Sequence, residues 1–155
     1  MIEVIISGGQ TGADRAALDF ALERGFAIQG YCPRGRRADD GPLDEKYPLQ
    51  ETESADYPPR NRLNVGLADA TIIFNGLPEY SPGTYRTIQF AREHKKQCKV
   101  LQGFPDIMQD AVDLKQWLQT HQPQKLNVAG NAEEKCPGMY AHVLAVLRQV
   151  LNRIR

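Results

Sequence analysis

The stretch Ile5-Ile-Ser-Gly-Gly-Gln-Thr-Gly-Ala-Asp-Arg15 joins a short apolar run to a glycine turn and then to an amphipathic segment. Glycines allow a backbone to approach a ligand closely, and the first turn of a helix offers N–H groups at the positive end of its dipole. This combination is typical of a site for phosphate or a similar oxyanion. We therefore predict that the turn binds the ligand through Gly8, Gly9, Gln10, Thr11, Gly12, Asp14 and Arg15.

Two common phosphate-binding motifs do not fit this turn. A nucleoside-triphosphate P-loop requires a lysine after its glycines, and none follows here. A dinucleotide fingerprint requires three glycines and an acidic residue about 20 residues later. Ser7 replaces the first of those glycines, and Pro33-Arg34 stands where the acid is expected. An NTPase and an NAD enzyme are both disfavoured, while a tight connection without any ligand remains an alternative.

A second group of candidates is basic and lies in the loop Cys32-Pro-Arg-Gly-Arg-Arg37. Arginines in a loop are either solvated or form a cationic clamp, and the planar guanidinium favours the clamp because it binds oxyanions in a bidentate manner. Asp14 has three open roles: it caps a helix, accepts a hydrogen bond from a ligand, or braces an arginine. The predicted clamp consists of Arg34, Gly35, Arg36, Arg37 and the more distant Arg60.

A third group surrounds a second helix start, Ser81-Pro-Gly-Thr84. Two helix N-termini that face one crevice are able to bind phosphate groups together. Ordinary helix capping explains the same residue types and does not exclude binding. The candidates here are Asn75, Gly83, Thr84 and Thr87.

Apolar runs alternate with helical periodicity along the chain. The last helix is the clearest, since its apolar positions keep the helical spacing from Tyr140 to Ile154. We predict strands at Ile2 to Ile6, Ala27 to Tyr31, Ala70 to Asn75, Lys99 to Gln102 and Leu126 to Ala129. We predict the other helices at Ala13 to Arg24, Arg62 to Leu67, after Pro82-Gly83 to about Lys96, and through Ile107, Ala111, Leu114 and Leu118.

Strand and helix alternation of this kind predicts an α/β fold of the Rossmann-like, doubly wound type. We expect a mainly parallel sheet of about five strands with helices on both faces, formed by residues 1–155 as a single phosphate- or nucleotide-binding domain. Ligands of such sheets bind beyond the carboxyl ends of the strands. The three groups of candidates follow those ends. The long irregular segment between Cys32 and Arg60 is a candidate lid.

The composition limits the function further. Lysine plus arginine and aspartate plus glutamate each number 19, which predicts no general attraction to nucleic acid or acidic membranes. The first residues lack the features of a signal peptide, and no run is long enough to cross a bilayer, so we expect a soluble, cytoplasmic protein. Three separated cysteines fit reduced thiols.

No catalytic group emerges from the sequence. The three histidines, His94, His121 and His142, lie on or at the ends of predicted helices and form no metal-binding or nucleophile-activating spacing. We therefore assign neither a catalytic residue nor a metal ligand.

The chain resembles the molybdenum cofactor carrier proteins, which lie in a wider Rossmann-like superfamily with the lysine-decarboxylase-like, cytokinin-activating proteins. The resemblance extends along most of the sequence and depends on several motifs together. They are Ser7-Gly-Gly-Gln-Thr-Gly-Ala-Asp-Arg-Ala-Ala-Leu-Asp19, Tyr31-Cys-Pro-Arg-Gly-Arg-Arg-Ala-Asp-Asp-Gly41, Tyr47-Pro-Leu-Gln-Glu-Thr52, Arg60 to Val65 with Asp69, Gly83-Thr84 with Thr87, and Leu126-Asn-Val-Ala-Gly130.

This resemblance implies a phosphate-binding, homo-oligomeric protein, a dimer or tetramer, that carries the molybdenum cofactor (molybdopterin), a pterin dithiolene with a terminal phosphate. The cytokinin-activating relatives instead hydrolyse nucleoside monophosphates with a Pro-Gly-Gly-x-Gly-Thr-x-x-Glu motif. This chain has a shortened form with Thr87 in place of the glutamate. A nucleotide-hydrolysing enzyme and a nucleotide-sensing module therefore remain alternatives to the carrier.

Overall fold

The computed structural model describes residues 1–151 and has an α/β architecture. Ile154, which we placed on the last helix, lies outside the described residues. Within residues 1–151, seven strands and five helices follow one another. The strands are β1 (Val4–Ile6), β2 (Ala27–Gln29), β3 (Tyr31–Cys32), β4 (Gln50–Glu51), β5 (Ala70–Phe74), β6 (Gln97–Leu101) and β7 (Lys125–Gly130), and the helices are α1 (Ala13–Arg24), α2 (Tyr57–Leu67), α3 (Pro82–Glu93), α4 (Ile107–His121) and α5 (Met139–Val150).

The central sheet contains five parallel strands in the order β2-β1-β7-β5-β6. The strand that comes last in the chain, β7, therefore pairs with β1 on one side and β5 on the other, with Leu126 opposite both Ile5 and Ala70. Every residue of β5 is buried, as expected for a parallel strand that is covered on both faces. The predicted fold class is confirmed.

The helices form two layers. α1, α4 and α5 pack against one another and against one face of the sheet, where the main core includes Phe20, Leu126 and Leu147. α2 and α3 pack together on the other face, around a smaller cluster of Val65, Phe90 and Ala91. Because the helices follow their strands, the N-termini of α1 and α3 lie at the carboxyl edge of the sheet.

Three predicted boundaries were wrong, each for a local reason. α2 begins at Tyr57 rather than Arg62, because Pro58 and Pro59 occupy the first helical turn, where no N–H partner is required. α3 ends at Glu93 rather than Lys96, since Lys95 adopts a left-handed conformation with φ of 55°. β6 begins at Gln97 rather than Lys99, because its residues pair with the whole of β5, from Ala70 to Phe74.

The segment between Cys32 and Arg60 is ordered around a small core of its own. Leu43, Tyr47 and Leu49 are buried against Leu18 of α1 and Cys32. β3 and β4 form a two-stranded parallel sheet within it. The segment thus packs against the glycine turn, where Leu43 and Leu49 lie beside Gly9, and is not the structureless excursion that its sequence indicates.

Asp19 connects three parts of the fold. Its carboxylate accepts a hydrogen bond of 2.5 Å from the Tyr47 hydroxyl and a second hydrogen bond from the Tyr140 hydroxyl. These contacts join α1 to the ordered segment and to α5. Burial and the Asp19 carboxylate raise the pKa of Tyr140 to about 12, and the same two causes raise the pKa of Tyr47.

Within residues 1–151, no helix combines the length and the apolar character that crossing a membrane requires.

We predict that Tyr140 titrates late in the folded protein. Its folded pKa of about 12 lies above the ordinary value of 10.0, so the stability that it contributes is fully present below pH 10 and is lost as the pH rises through about 12. A pH titration followed by the ultraviolet absorbance of phenolate should therefore show an ionisation step near pH 12, and Tyr140→Phe should remove this step. Asp19→Asn should move the midpoint of the step toward pH 10, and an unchanged midpoint in that variant would contradict the role of Asp19.

Candidate functional site

A cleft of about 330 Å³ lies beyond the carboxyl ends of β1, β5 and β7. We call it the carboxyl-edge cleft. The glycine turn contributes Gln10 and Asp14, α2 contributes Arg60, and the start of α3 contributes Gly83, Thr84 and Thr87. The structure therefore brings together six of the residues predicted from the sequence.

A buried ion pair forms one wall of this cleft. The Nη1 atom of Arg60 lies 3.2 Å from Oδ2 of Asp14, and the two side chains are only 5% and 10% exposed. The same carboxylate oxygen accepts a hydrogen bond from the backbone N–H of Gln10 at 3.3 Å. Gly8 lies directly beneath the guanidinium, and a β-carbon there would overlap Arg60 Nη1. Asp14 thus braces an arginine, one of the three roles left open by the sequence.

Arg60 keeps part of its hydrogen-bonding capacity free. Its Nε atom is buried and has no hydrogen-bond partner among the described residues, and none of them accepts a hydrogen bond from Nη2. The guanidinium also lies 5.1 Å from the centre of the Tyr57 ring, which restricts its orientation. A guanidinium edge formed by Nε and Nη2 is suited to bidentate binding of an oxyanion.

Burial dominates the electrostatics of Asp14. Removal from water raises the pKa of its carboxyl group, and the positive charge of Arg60 together with the Gln10 N–H opposes this rise. The charges of Asp14 and Arg60 therefore neutralise each other, and this wall of the cleft carries one positive and one negative charge in close contact.

The start of α3 presents one backbone donor to the cleft. The N–H of Thr84 donates to Ser81 Oγ at 3.2 Å, and the N–H of Tyr85 donates to the Ser81 carbonyl at 3.1 Å. Within the described chain, no such contact occupies the N–H of Gly83. The Thr87 hydroxyl donates to the Gly83 carbonyl one turn earlier, at 2.9 Å. Gly83 N–H and the helix dipole together favour an anion here.

Other residues of the glycine turn hold the turn in place. Thr11 Oγ1 donates to Glu134 at 2.7 Å, and Gln10 Oε1 accepts from the N–H groups of Thr11 and Asp39 at 2.9 and 2.8 Å. Gly12 has φ of 79°, and a β-carbon there would overlap the Asn131 carbonyl. Gly9 likewise has φ of 82°. These contacts leave Thr11, Gly12 and Gly9 outside the lining of the cleft.

Arg15 points away from the cleft. It donates to the Gly9 carbonyl at 3.1 Å and forms a bidentate ion pair with Asp40 at 2.9 and 3.0 Å. The Arg15 guanidinium lowers the pKa of Asp40. Asp40 therefore neutralises Arg15.

The arginine loop is not brought into the cleft. Arg36 donates to the carbonyl oxygens of Leu43, Asp44, Tyr47 and Leu49, at 2.8 to 3.3 Å. Its guanidinium thus binds backbone within the ordered segment.

The neighbours of Arg36 lie outside the cleft as well. Arg37 donates to the Ala55 carbonyl and lies over the Tyr57 ring, while the backbone N–H of Gly35 donates to Glu51. Arg34 is exposed. A ligand role for these residues stays a prediction.

Asn75 also lies outside the lining of the cleft. It is buried behind the end of β5, where its Nδ2 donates to the Leu77 carbonyl at 2.9 Å.

Several cleft residues were not selected from the sequence. Arg86 and Lys135 are exposed at its rim, and Asn61 and Asn131 lie deeper. The sequence indicates them only through their positions. Arg86 lies one turn into α3, Asn61 follows Arg60, and Asn131 and Lys135 follow β7. Among residues 1–151 no cluster of histidine, cysteine, aspartate or glutamate is placed to hold a metal ion.

Comparisons with known proteins found two matches that cover nearly the whole chain. The model of the Circularly permutated YpsA SLOG family matches residues 5–151. A solved structure of a "putative molybdenum carrier protein" from Syntrophus aciditrophicus SB is 38% identical, with a TM-score of 0.91, and the match covers 97% of this chain and 96% of that one. Among curated proteins, none matches this chain.

We predict that Gly8→Ala destabilises the protein through Arg60. The added methyl group must displace the guanidinium from Asp14, and disruption of a buried ion pair costs about 3 kcal/mol or more. Urea unfolding measures the loss, and the same substitution should cost much less in an Arg60→Met background.

Gly83→Ala is the matched control, since a β-carbon there meets only Ser81 Oγ at 3.8 Å and has space. Equal stability of Gly8→Ala and the parent would show that Arg60 does not depend on this glycine.

We also predict that Arg36→Lys lowers the free energy of unfolding by about 2 kcal/mol or more, because a lysine cannot reach four carbonyl groups at once. Arg34→Lys makes the same chemical change at an exposed position and should stay within about 0.5 kcal/mol of the parent. Equal unfolding midpoints for the two variants would refute this role of Arg36.

Proposed function

This chain belongs to the Circularly permutated YpsA SLOG family, and we propose that it is a carrier protein that binds the molybdenum cofactor in the carboxyl-edge cleft. The observation that carries the proposal is the buried Arg60, whose Nε has no partner among the described residues and whose side chain lines the cleft. A buried donor without a partner is costly, and an oxyanion would satisfy it.

The proposed site binds the terminal phosphate of the ligand from two sides. Arg60 offers the edge formed by Nε and Nη2, and the start of α3 offers the Gly83 N–H at the positive end of its dipole. Arg86 and Lys135 add positive charge at the rim. The cleft volume of about 330 Å³ suits a small molecule, since such sites span roughly 300–1,000 Å³.

The ion pair with Asp14 leaves Arg60 able to bind an anion. Its carboxylate neutralises Arg60 through Nη1, on the edge of the guanidinium opposite to the free one. The arginine can therefore stay buried and charged in the absence of ligand, and phosphate binding adds hydrogen bonds without first breaking the ion pair. This arrangement favours reversible binding, which a carrier requires.

The geometry favours binding over hydrolysis. Thr87 occupies the position of the glutamate in the cytokinin-activating motif, and its hydroxyl donates to the Gly83 carbonyl. Glu79 is exposed and does not line the cleft, and Asp14 is engaged by Arg60. Asp39 also lines the cleft, but it is exposed and accepts a hydrogen bond from the Tyr57 hydroxyl at 3.2 Å. Neither the buried nor the exposed carboxylate of the described cleft is therefore without a partner for acid–base chemistry.

The function is tested by anaerobic calorimetry with intact molybdenum cofactor, inorganic phosphate and AMP as ligands. We expect saturable binding of the cofactor, weaker binding of phosphate and AMP, and no breakdown products. Cleavage of AMP would replace the carrier with a nucleotide-hydrolysing enzyme. Binding of phosphate without binding of the cofactor would support the anion site and refute the proposal that the molybdenum cofactor is its ligand.

We predict that Arg60→Lys weakens phosphate binding by about 10- to 100-fold, because it keeps the charge and removes the bidentate edge, and one charge-assisted hydrogen bond is worth about 1.5–3 kcal/mol. Arg92→Lys at the exposed last turn of α3 is the matched control and should bind as the parent does. Unchanged affinity in a folded Arg60→Lys variant would place the anion elsewhere. Arg34→Ala, measured in the same titration, tests the predicted clamp separately.

A further inference from the structure

A small polar recess opens from the floor of the carboxyl-edge cleft. Its volume is about 10 Å³, and it shares Asp14, Asn61, Thr87 and Ala129 with the cleft above it. The remaining walls include Gly8, Asn64 and Asn127. A volume of roughly 10–15 Å³ on this measure accommodates one water molecule.

Asn127 is an unusual residue for its position. It lies in the middle of β7, the central strand, and is only 4% exposed. Its Nδ2 donates to Thr71 Oγ1 on β5 at 3.3 Å, whereas no described residue donates a hydrogen bond to its Oδ1. In a residue that is only 4% exposed, an amide oxygen without a protein donor loses hydration free energy unless a water molecule reaches it.

Asp14 also lines the recess. Its Oδ2 atom accepts from Gln10 and Arg60, and its Oδ1 atom accepts no hydrogen bond from residues 1–151. Asn64 Nδ2 donates to the Tyr31 carbonyl at 3.1 Å and has a second hydrogen. The recess therefore combines two acceptors that lack donors with an amide that is able to donate.

We propose that the recess is a binding site for one water molecule, which donates to Asp14 Oδ1 and Asn127 Oδ1 and accepts a hydrogen bond from an amide N–H of Asn64 or Asn61. Three hydrogen bonds are the usual number for a buried water molecule. The water connects α1 to β7 and fixes the Asp14 carboxylate in the orientation that presents Oδ2 to Arg60. This role goes beyond ligand binding and does not depend on which ligand the cleft takes.

The charges around the recess favour water over a metal cation. Among residues 1–151, Asp14 is the one carboxylate that lines the recess, and Arg60 already neutralises it at 3.2 Å. A cation bound to Asp14 would therefore lie close to the positive charge of Arg60 with no second carboxylate to balance it. Calcium takes about 6–8 oxygen ligands and magnesium about six at short range, more than a recess of about 10 Å³ with this lining offers.

A high-resolution crystal structure of the full chain, grown without phosphate, tests the proposal directly. We expect one density peak at about 2.7–2.8 Å from both Asp14 Oδ1 and Asn127 Oδ1, the usual distance for an O–H···O hydrogen bond. The absence of a peak would overturn the proposal. A peak with several oxygen contacts of about 2.0–2.6 Å would also overturn it, because such distances identify a cation.

Two variants assign the water to its ligands. Asn127→Leu removes the acceptor oxygen and should leave the recess without the peak. Thr71→Val is the matched control, since it also breaks the hydrogen bond between Thr71 and Asn127 but keeps Asn127 Oδ1, and the peak should persist. Persistence in Asn127→Leu would refute the role of Asn127. If Asn127→Leu does not fold, the parent and Thr71→Val structures decide the question.

These measurements separate the water from the proposed function. If the crystal structure shows the water molecule and the protein does not bind phosphate, the anion site is refuted and the water site is supported. If the protein binds phosphate and the water molecule is absent, the anion site is supported and the water site is refuted.

Discussion

The contact between Arg60 and Asp14 is the interaction on which the site depends. A guanidinium that is 5% exposed is stable only beside a counter-ion, and the carboxylate that supplies it stands 46 residues earlier in the chain. Gly8 has no side chain because the guanidinium occupies that space. The glycine turn is therefore shaped around a protein arginine, and the side chain of that arginine lines the cleft. Local stability and the proposed anion binding depend on the same charged pair.

The order of the strands brings the remaining components to this pair. Because β7 enters between β1 and β5, the glycine turn after β1, the helix start after β5 and the loop after β7 surround one cleft. Had β7 paired at an outer edge of the sheet, its loop would lie far from the turn. Instead, the Asn131 carbonyl packs on Gly12, and Thr11 donates to Glu134 in the same loop. The turn is thus held from one side by the last loop and from the other by the ordered segment, through Gln10 and Asp39.

Local features of the fold were predictable from the sequence, and long-range ones were not. The bounds of α1, the presence of five central strands and the starts of α1 and α3 follow from periodicity, glycine and proline, which act over a few residues. Strand order does not follow, because it depends on which apolar faces meet after the chain has crossed the sheet. The early start of α2 was missed because Pro58 and Pro59 fell in the segment interpreted as irregular, although proline is well suited to a first helical turn.

The arginines show why the site was harder to predict than the fold. Arg36 and Arg60 have identical chemistry, yet Arg36 donates to four carbonyl groups of its own segment, and Arg60 retains a buried Nε without a protein partner in the described chain. Sequence indicates that a guanidinium is present; only the structure shows how many of its donors are already used. An arginine is a candidate for ligand binding to the extent that burial prevents water from satisfying it and the protein leaves a donor free. Of the five arginines proposed from the sequence, Arg60 meets both conditions, and for that reason the cleft beside it is where the function should be sought.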